Sequence, residues 1–349
     1  MSQATNAIAA QAHIHHAYFI GLQLMVSVNK KPEIVGDWMF RLFRRQHAKK
    51  FLSSFKKLGL DGLPDAVACA RYHVMSNSIG GVAVEYMYES DDKAWVRFRY
   101  PRWLYQGPAI CGVPVEVSRG FLNGWYAQNG VSLNNARLGF VCVSEDMTGE
   151  FGFCGYFKEY DFDLEEGQRL QFAHGELPPK FKPEEQPQLP SKDWNAARLA
   201  KANRNYAIEF VRNGILELAN VIGEKETREL AGKAARLIGL QYLSETTQMV
   251  GATDGDVEGA ARYLSEMFQG MGDRIELVKP GSGDGVELSH SELRIISGLN
   301  TRESELILNC WTQLWVGAMA SYQVLKKATF NIDGGHISWH ISDTVSYHQ

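Results

Sequence analysis

The chain has 349 residues, 45% of them hydrophobic and 22% charged, with a formal net charge of −4, a composition that gives a globular protein room for two domains. Its acidic balance offers no bulk attraction for nucleic acid or an anionic membrane. No apolar run reaches the roughly 20 residues that span a bilayer, and Met1 to His16 lack the charged start and apolar core of a signal peptide, so a cytoplasmic chain is expected.

Ile14, Tyr18, Leu22 and Met25 recur at helical spacing, and Trp38, Leu42, Phe43 and Phe51 do so again, which predicts two opening helices. The second carries Arg41, Arg44, Arg45, Lys49, Lys50, Lys56 and Lys57 with no acid among them. With Phe40, Phe43, Phe51 and Phe55 turned inward, this is a solvated basic face rather than a nucleic-acid site. A third helix holds Ala70-Arg71-Tyr72. From Val82 the apolar period shortens to that of a strand, through Tyr88 and again from Trp95 to Tyr100, around the polar turn Glu89 to Lys93. A helix over Glu116 to Gln128 follows, then strands over Gly139 to Ser144 and Gly152 to Tyr160, joined by the turn Glu145 to Gly149.

Five of the eleven prolines lie between Pro178 and Pro190, where missing donors and fixed φ angles disfavour both helix and sheet. Residues 166–191 therefore read as a linker. Ser191 or Asp193 can cap the long helix that opens the second half, with Leu199, Tyr206, Phe210, Ile215 and Leu218 on its apolar side and Gly223 at its end. A second helix runs through Leu230 to Tyr242, followed by strands at Arg274 to Val278 and Gly285 to Leu288, a helix from Arg302 to Leu325, and strands at Thr329 to Ile332 and Ile337 to Ile341. Gly281-Ser-Gly-Asp-Gly285 suits a hairpin turn better than a phosphate cradle.

The halves echo each other. Without gaps, Phe51-Leu52-Ser53 aligns with Tyr242-Leu243-Ser244, Ala70-Arg71-Tyr72 with Ala261-Arg262-Tyr263, Gly81 with Gly272 and Glu85 with Glu276. At a slightly smaller offset, Leu122-Asn123-Gly124-Trp125 aligns with Leu308-Asn309-Cys310-Trp311. The expected fold is α+β: two tandem pseudo-symmetric units over 1–165 and 192–349, each made of helices plus an antiparallel sheet interrupted by one helix.

This order of elements resembles the bacterial L-2-amino-thiazoline-4-carboxylic acid hydrolase family and the related small-molecule-binding domains of the four-vinyl-reductase type. The residues that carry the resemblance are Ile79-Gly-Gly-Val-Ala-Val-Glu85 with Gly149-Glu-Phe-Gly-Phe-Cys154, and Met271-Gly-Asp-Arg-Ile-Glu276 with Gly334-Gly-His-Ile-Ser-Trp339. The doubling departs from the family. The resemblance implies a unit enclosing a ligand-sized pocket, in some members used to hydrolyse a C–N or C–S bond, and it carries no active-site motif over to this chain.

Candidate site residues come from asymmetry between the copies. Arg97 and Arg99 lie two apart on a strand and so share a face, which suits a carboxylate-bearing ligand; the alternative is a solvated face paired with Glu85, Glu89 or Asp91. The ungapped counterparts are Leu288 and His290, so function is expected mainly in the first copy. Tyr86 and Trp103, with Trp95, add flat walls for a planar acid. Cys111 sits in a Gly- and Pro-rich loop just before a helix, a place where a thiol can become nucleophilic, although most cysteines are inert. His73 and Asn77 share a helix face and could orient a base or a substrate carbonyl.

No metal or other cofactor is expected. The five cysteines, Cys69, Cys111, Cys142, Cys154 and Cys310, are scattered, with neither a disulfide framework nor a zinc spacing. His13 and His16 have ligand spacing but only His15 as a nearby partner, and His336 and His340 are four apart on an expected strand, about 13 Å, too far for one metal. The expected function is an enzyme of hydrolase or lyase type acting on a small carboxylated or aromatic molecule; the alternative is a non-catalytic binding protein of the same fold. The expected partner is that small-molecule substrate, with no nucleic acid and no membrane. The oligomeric state stays open, with a homodimer among the states allowed.

Overall fold

The computed structural model describes residues 3–100, 102–148, 150–189, 194–252, 254–278, 285–322 and 325–344. The chain divides into two compact units, one formed by Val26–Leu199 and the other by the stretch through Met25 together with Ala200 onward. Both boundaries fall inside long helices.

The Val26–Leu199 unit takes the end of α1 (Gln3–Asn29), then α2 (Pro32–Lys57), α3 (Asp65–Ile79), β1 (Val84–Ser90), β2 (Lys93–Phe98), α4 (Val115–Gly124), α5 (Asn129–Ser132), β3 (Leu138–Ser144), β4 (Cys154–Glu159) and β5 (Leu170–Phe172). Pro32 pre-sets the first turn of α2, Glu33 lies in that turn and Lys56 and Lys57 in the last, each complementing the helix dipole. The sheet order is β1-β2-β4-β3-β5, antiparallel except for β5, which runs parallel to β3. Every residue of β3 is buried, as a strand covered on both faces must be.

On one face of this sheet, Phe140 and Phe157 meet Tyr126 and His73 of the helical layer. On the other, Met87, Trp95, Val141, Val143, Cys154 and Tyr156 form a cluster against which Ala173 and Phe181 pack. The Pro-rich segment is thus part of the fold. The expected linker 166–191 departs from that expectation at its start, where Glu166–Gln168 form a helical turn and β5 joins the sheet beside β3. Among the described residues from 176 onward the only helical turn is the short Pro183–Glu185, as the prolines there require. Pro190, Ser191 and Asp193, the expected strap end and helix caps, lie outside the described residues.

The other unit contains α1 through Met25, α6 (Ala196–Ile222) from Ala200, α7 (Glu224–Val250), α8 (Val257–Met271), β6 (Arg274–Val278), β7 (Val286–Ser291), α9 (Thr301–Ala320), β8 (Lys326–Asp333) and β9 (His336–Asp343). Asp256 caps α8 by accepting from the Gly259 N–H at 2.7 Å, and Gly272 ends that helix in the left-handed region; Asn300 and Glu303 form a capping box on α9. All strand pairs are antiparallel, in the order β6-β7-β9-β8. Leu288, His290, Ile337, Trp339 and Ile341 are buried on the inner face, whereas Glu287, Ser338, Thr329 and Asn331 on the outer face are exposed.

The N-terminal helix departs from the expected 1–165 lobe. Through Met25 it belongs with the second half of the chain, because its apolar residues circle the whole helix and need neighbours on every side. Tyr18 donates to the Ala231 carbonyl at 3.0 Å, Trp311 Nε1 donates to His15 Nε2 at 3.0 Å, and Phe19 meets Phe210 edge to face at 5.2 Å. Gly281 to Asp284, the expected hairpin turn, lie outside the described residues. No described helix is long and apolar enough to cross a membrane.

Candidate functional site

A convergence of charged groups lies in the Val26–Leu199 unit, where β3 ends. Its apolar run delivers two adjacent acids, Glu145 and Asp146, whose side chains are both fully buried. Buried carboxylates must be paired, and these two are, in opposite directions. Asp146 accepts from the buried Arg102 and from the Tyr100 hydroxyl, while the Arg102 guanidinium lies 4.3 Å over Phe98 and 5.4 Å from the Phe153 ring. Burial works against the charge on Arg102, but Asp146 together with Tyr105, Tyr126 and Tyr100 outweighs it and holds the guanidinium above its ordinary pKa.

Glu145 is gripped by Arg119 of α4 in a bidentate pair, Nε to Oε1 at 2.9 Å and Nη2 to Oε2 at 3.1 Å. His174 Nε2 meets the same Oε2 at 3.1 Å. An ionised carboxylate only accepts, so in this contact Nε2 is the donor, on a ring that is half-exposed. The hydrogen bond to Glu145 holds Arg119 above its ordinary pKa. Arg119 also lines an open cleft of about 410 Å³ between α2 and α4, with Glu33, Asp37, Glu116 and Glu166 on its rim. The two helices cross closely there: a Cβ on Gly120 would lie 2.7 Å from the Gly36 carbonyl oxygen, and one on Gly124 would lie 2.5 Å from that of Phe40.

None of the described candidate site residues lines this cleft, whereas Phe40, expected to turn inward, is exposed on it. Arg97 and Arg99 do share a face, but both close on Glu85, Arg97 Nε at 2.6 Å and Arg99 Nη1 at 2.9 Å. The cross-strand register explains this, since Glu85 sits opposite Arg97. The residue opposite Glu276 is Ser289, so Leu288 is not the counterpart of Arg97; an ungapped alignment cannot follow hairpins of unequal length. His290 is instead a buried joint, Nε2 donating to Asp273 at 2.8 Å while Nδ1 accepts from Trp339 Nε1 at 3.3 Å.

Cys111 and His73 are not brought together. Cys111 is exposed at the end of the short turn Gly107–Cys111, whereas His73 is 2% exposed, stacked 3.9 Å from Tyr126 and bonded through Nε2 to Asn129 at 3.0 Å. Burial drives His73 well below its ordinary pKa, so it stays neutral. Asn77 spends its amide on the His73 carbonyl at 2.7 Å, and the Tyr86 ring lies 5.4 Å beneath Arg71. The Trp103 side chain lies outside the described residues. His13, for which the sequence offered no carboxylate nearby, meets Glu245 at 3.1 Å, and no group of three metal-ligating side chains occurs among the described residues.

Sequence reasoning missed Glu145, Asp146, Arg102, Arg119 and His174. The acids read as a polar turn; the available signal was two acids directly after an unbroken apolar strand, a place where burial follows unless the chain turns outward. The chain matches no protein-family model, no curated protein and no solved structure.

Proposed function

We propose that the chain is a small-molecule enzyme of hydrolase or lyase type whose working site lies in the Val26–Leu199 unit, with His174 as general base. The observation that carries this reading is the buried Glu145 carboxylate, which meets Arg119 and His174 through one oxygen. A carboxylate at Nε2 fixes the tautomer of an imidazole and stabilises its protonated form, the arrangement that turns histidine into a directed base. Arg119 uses Nε and Nη2 on Glu145, which leaves Nη1 to receive a ligand carboxylate from the cleft. The acidic rim suits a cationic group on the same molecule, so the substrate class is a carboxylate that also bears an amine. This agrees with the resemblance to the thiazoline-carboxylate hydrolases, and the same proposal includes descent of both units from one duplicated ancestor, supported by the strand orders β1-β2-β4-β3 and β6-β7-β9-β8, and a cytoplasmic location.

A second reading, a binding protein without catalysis, is favoured by the separation of Cys111 from His73, which leaves no nucleophile and base assembled. Thermal-shift screening against amino-carboxylates tests both readings, because a ligand that binds only the native state raises its stability. A hit lost in Arg119→Ala but bound by His174→Ala without turnover supports catalysis. Binding with no turnover in the native chain supports the second reading, and the absence of any Arg119-dependent hit sinks both.

A further inference from the structure

The two sheets treat their first strands differently. The edge of β1 is closed by the chain itself: Gln186 Oε1 accepts from the Tyr86 N–H at 2.9 Å and its Nε2 donates to the Tyr86 carbonyl at 2.8 Å. The edge of β6 has no such closure, and no described residue bonds to its outer side. Its side chains are largely open to solvent, with Leu277 62% and Val278 43% exposed. Proteins normally blunt such an edge with lysine, proline, a bulge or a covering segment, because unpaired N–H and C=O groups recruit another strand. Within Arg274–Val278 there is no lysine, proline or bulge, and the two charged residues, Arg274 and Glu276, are of opposite sign, so they do not repel a partner strand of the same sequence.

We propose that β6 is an interface for a second copy of this chain, pairing antiparallel with its own symmetry mate about a twofold axis at Ile275. A twofold normal to the sheet keeps each side chain on its own face and sets the pairing of residue with residue. Centred on Ile275, it places Arg274 of one copy opposite Glu276 of the other, twice, on the outer face, and Ile275 against Ile275 on the inner. Within one chain Arg274 already reaches Glu276 through Nε at 3.0 Å and Nη2 at 2.6 Å, so the two groups carry matched charge at the height the exchange requires. Centring on Glu276 would instead set two carboxylates face to face, which is unfavourable. The short overlap makes this a weak, concentration-dependent dimer.

The test is sedimentation velocity on the full chain across the micromolar range, with native circular dichroism as the control for folding. The native chain is expected to dimerise, Arg274→Glu to weaken the dimer about tenfold by setting like charges across the axis, and Arg274→Glu with Glu276→Arg to restore it. Both side chains changed are exposed, so folding should survive each change. A monomer at every concentration overturns the proposal, as does a dimer indifferent to Arg274→Glu or one that the double exchange fails to rescue.

Discussion

Gln186 and Tyr86 are joined by two hydrogen bonds in which a side-chain amide takes the place of a neighbouring strand, pinning the Pro-rich strap to the edge of β1. The strap also carries Phe181 onto the apolar sheet face and Glu176 to within 2.9 Å of Lys93 and 3.0 Å of the Tyr156 hydroxyl. Gln186→Ala should loosen the strap and cost about 1–2 kcal/mol, since two hydrogen bonds contribute about 1 kcal/mol each. Limited proteolysis reads this directly: cleavage within 176–189 should accelerate in the variant, and an unchanged rate would show that Phe181 and Glu176 hold the strap unaided.

Asn129 bridges two buried histidines, its Oδ1 facing His47 Nε2 at 3.1 Å and its Nδ2 facing His73 Nε2 at 3.0 Å. Asn129→Leu keeps the volume but strands both rings, and leaving a buried polar group unsatisfied costs about 1–3 kcal/mol. A loss of about 3 kcal/mol or more in urea unfolding is expected, and a loss below about 1 kcal/mol would mean that water replaces the amide.

Burial lowers His15 from 6.5 to about 4 and His47 likewise to about 4. Both are neutral in the native state, and an unfolded chain protonates them below about 6.5. Stability should therefore be flat with respect to these groups above pH 6.5 and fall as pH drops from about 6.5 to about 4, by about 3 kcal/mol for each ring. Protonation also removes the Nε2 lone pair that accepts from Trp311. Urea midpoints measured through this window check the slope, and His15→Gln should flatten its share; an identical slope in that variant would assign the acid sensitivity elsewhere.

Two glycines of α7 predict opposite outcomes. A Cβ on Gly239 would lie 1.9 Å from the Leu314 carbonyl oxygen, backbone that cannot yield without parting α7 from α9, whereas one on Gly232 meets nothing nearer than the flexible Gln313 Cγ at 3.6 Å. Gly239→Ala should destabilise by about 3 kcal/mol or more, and Gly232→Ala should stabilise by about 0.5–1 kcal/mol through helix propensity. Thermal midpoints of opposite sign are the expected result, and a neutral Gly239→Ala would show that the crossing can open.

The sequence by itself determined most of the elements and their order, the short β5 inside the expected linker excepted. Period and punctuation are local properties, so the alternation at Val82 to Tyr88, the turn at Glu89 to Lys93, the glycine after α6 and the proline-stiffened strap were all legible in the chain. What only the tertiary structure decided was which polar groups meet. The assignment of Arg97 and Arg99 to Glu85 depends on hairpin register, the passage of α1 to the unit containing Trp311 depends on where a helix that is apolar all round can be enclosed, and the meeting of Arg119, Glu145 and His174 joins a helix, a strand end and a loop after the sheet. Beyond the apolar strand that precedes it, Glu145 carries no mark of burial in the sequence. Glu145 reads as a turn because burying a carboxylate is unfavourable unless partners reach it, and those partners come from segments 26 residues before it and 29 after, a proximity set by sheet order and helix packing that no local pattern encodes.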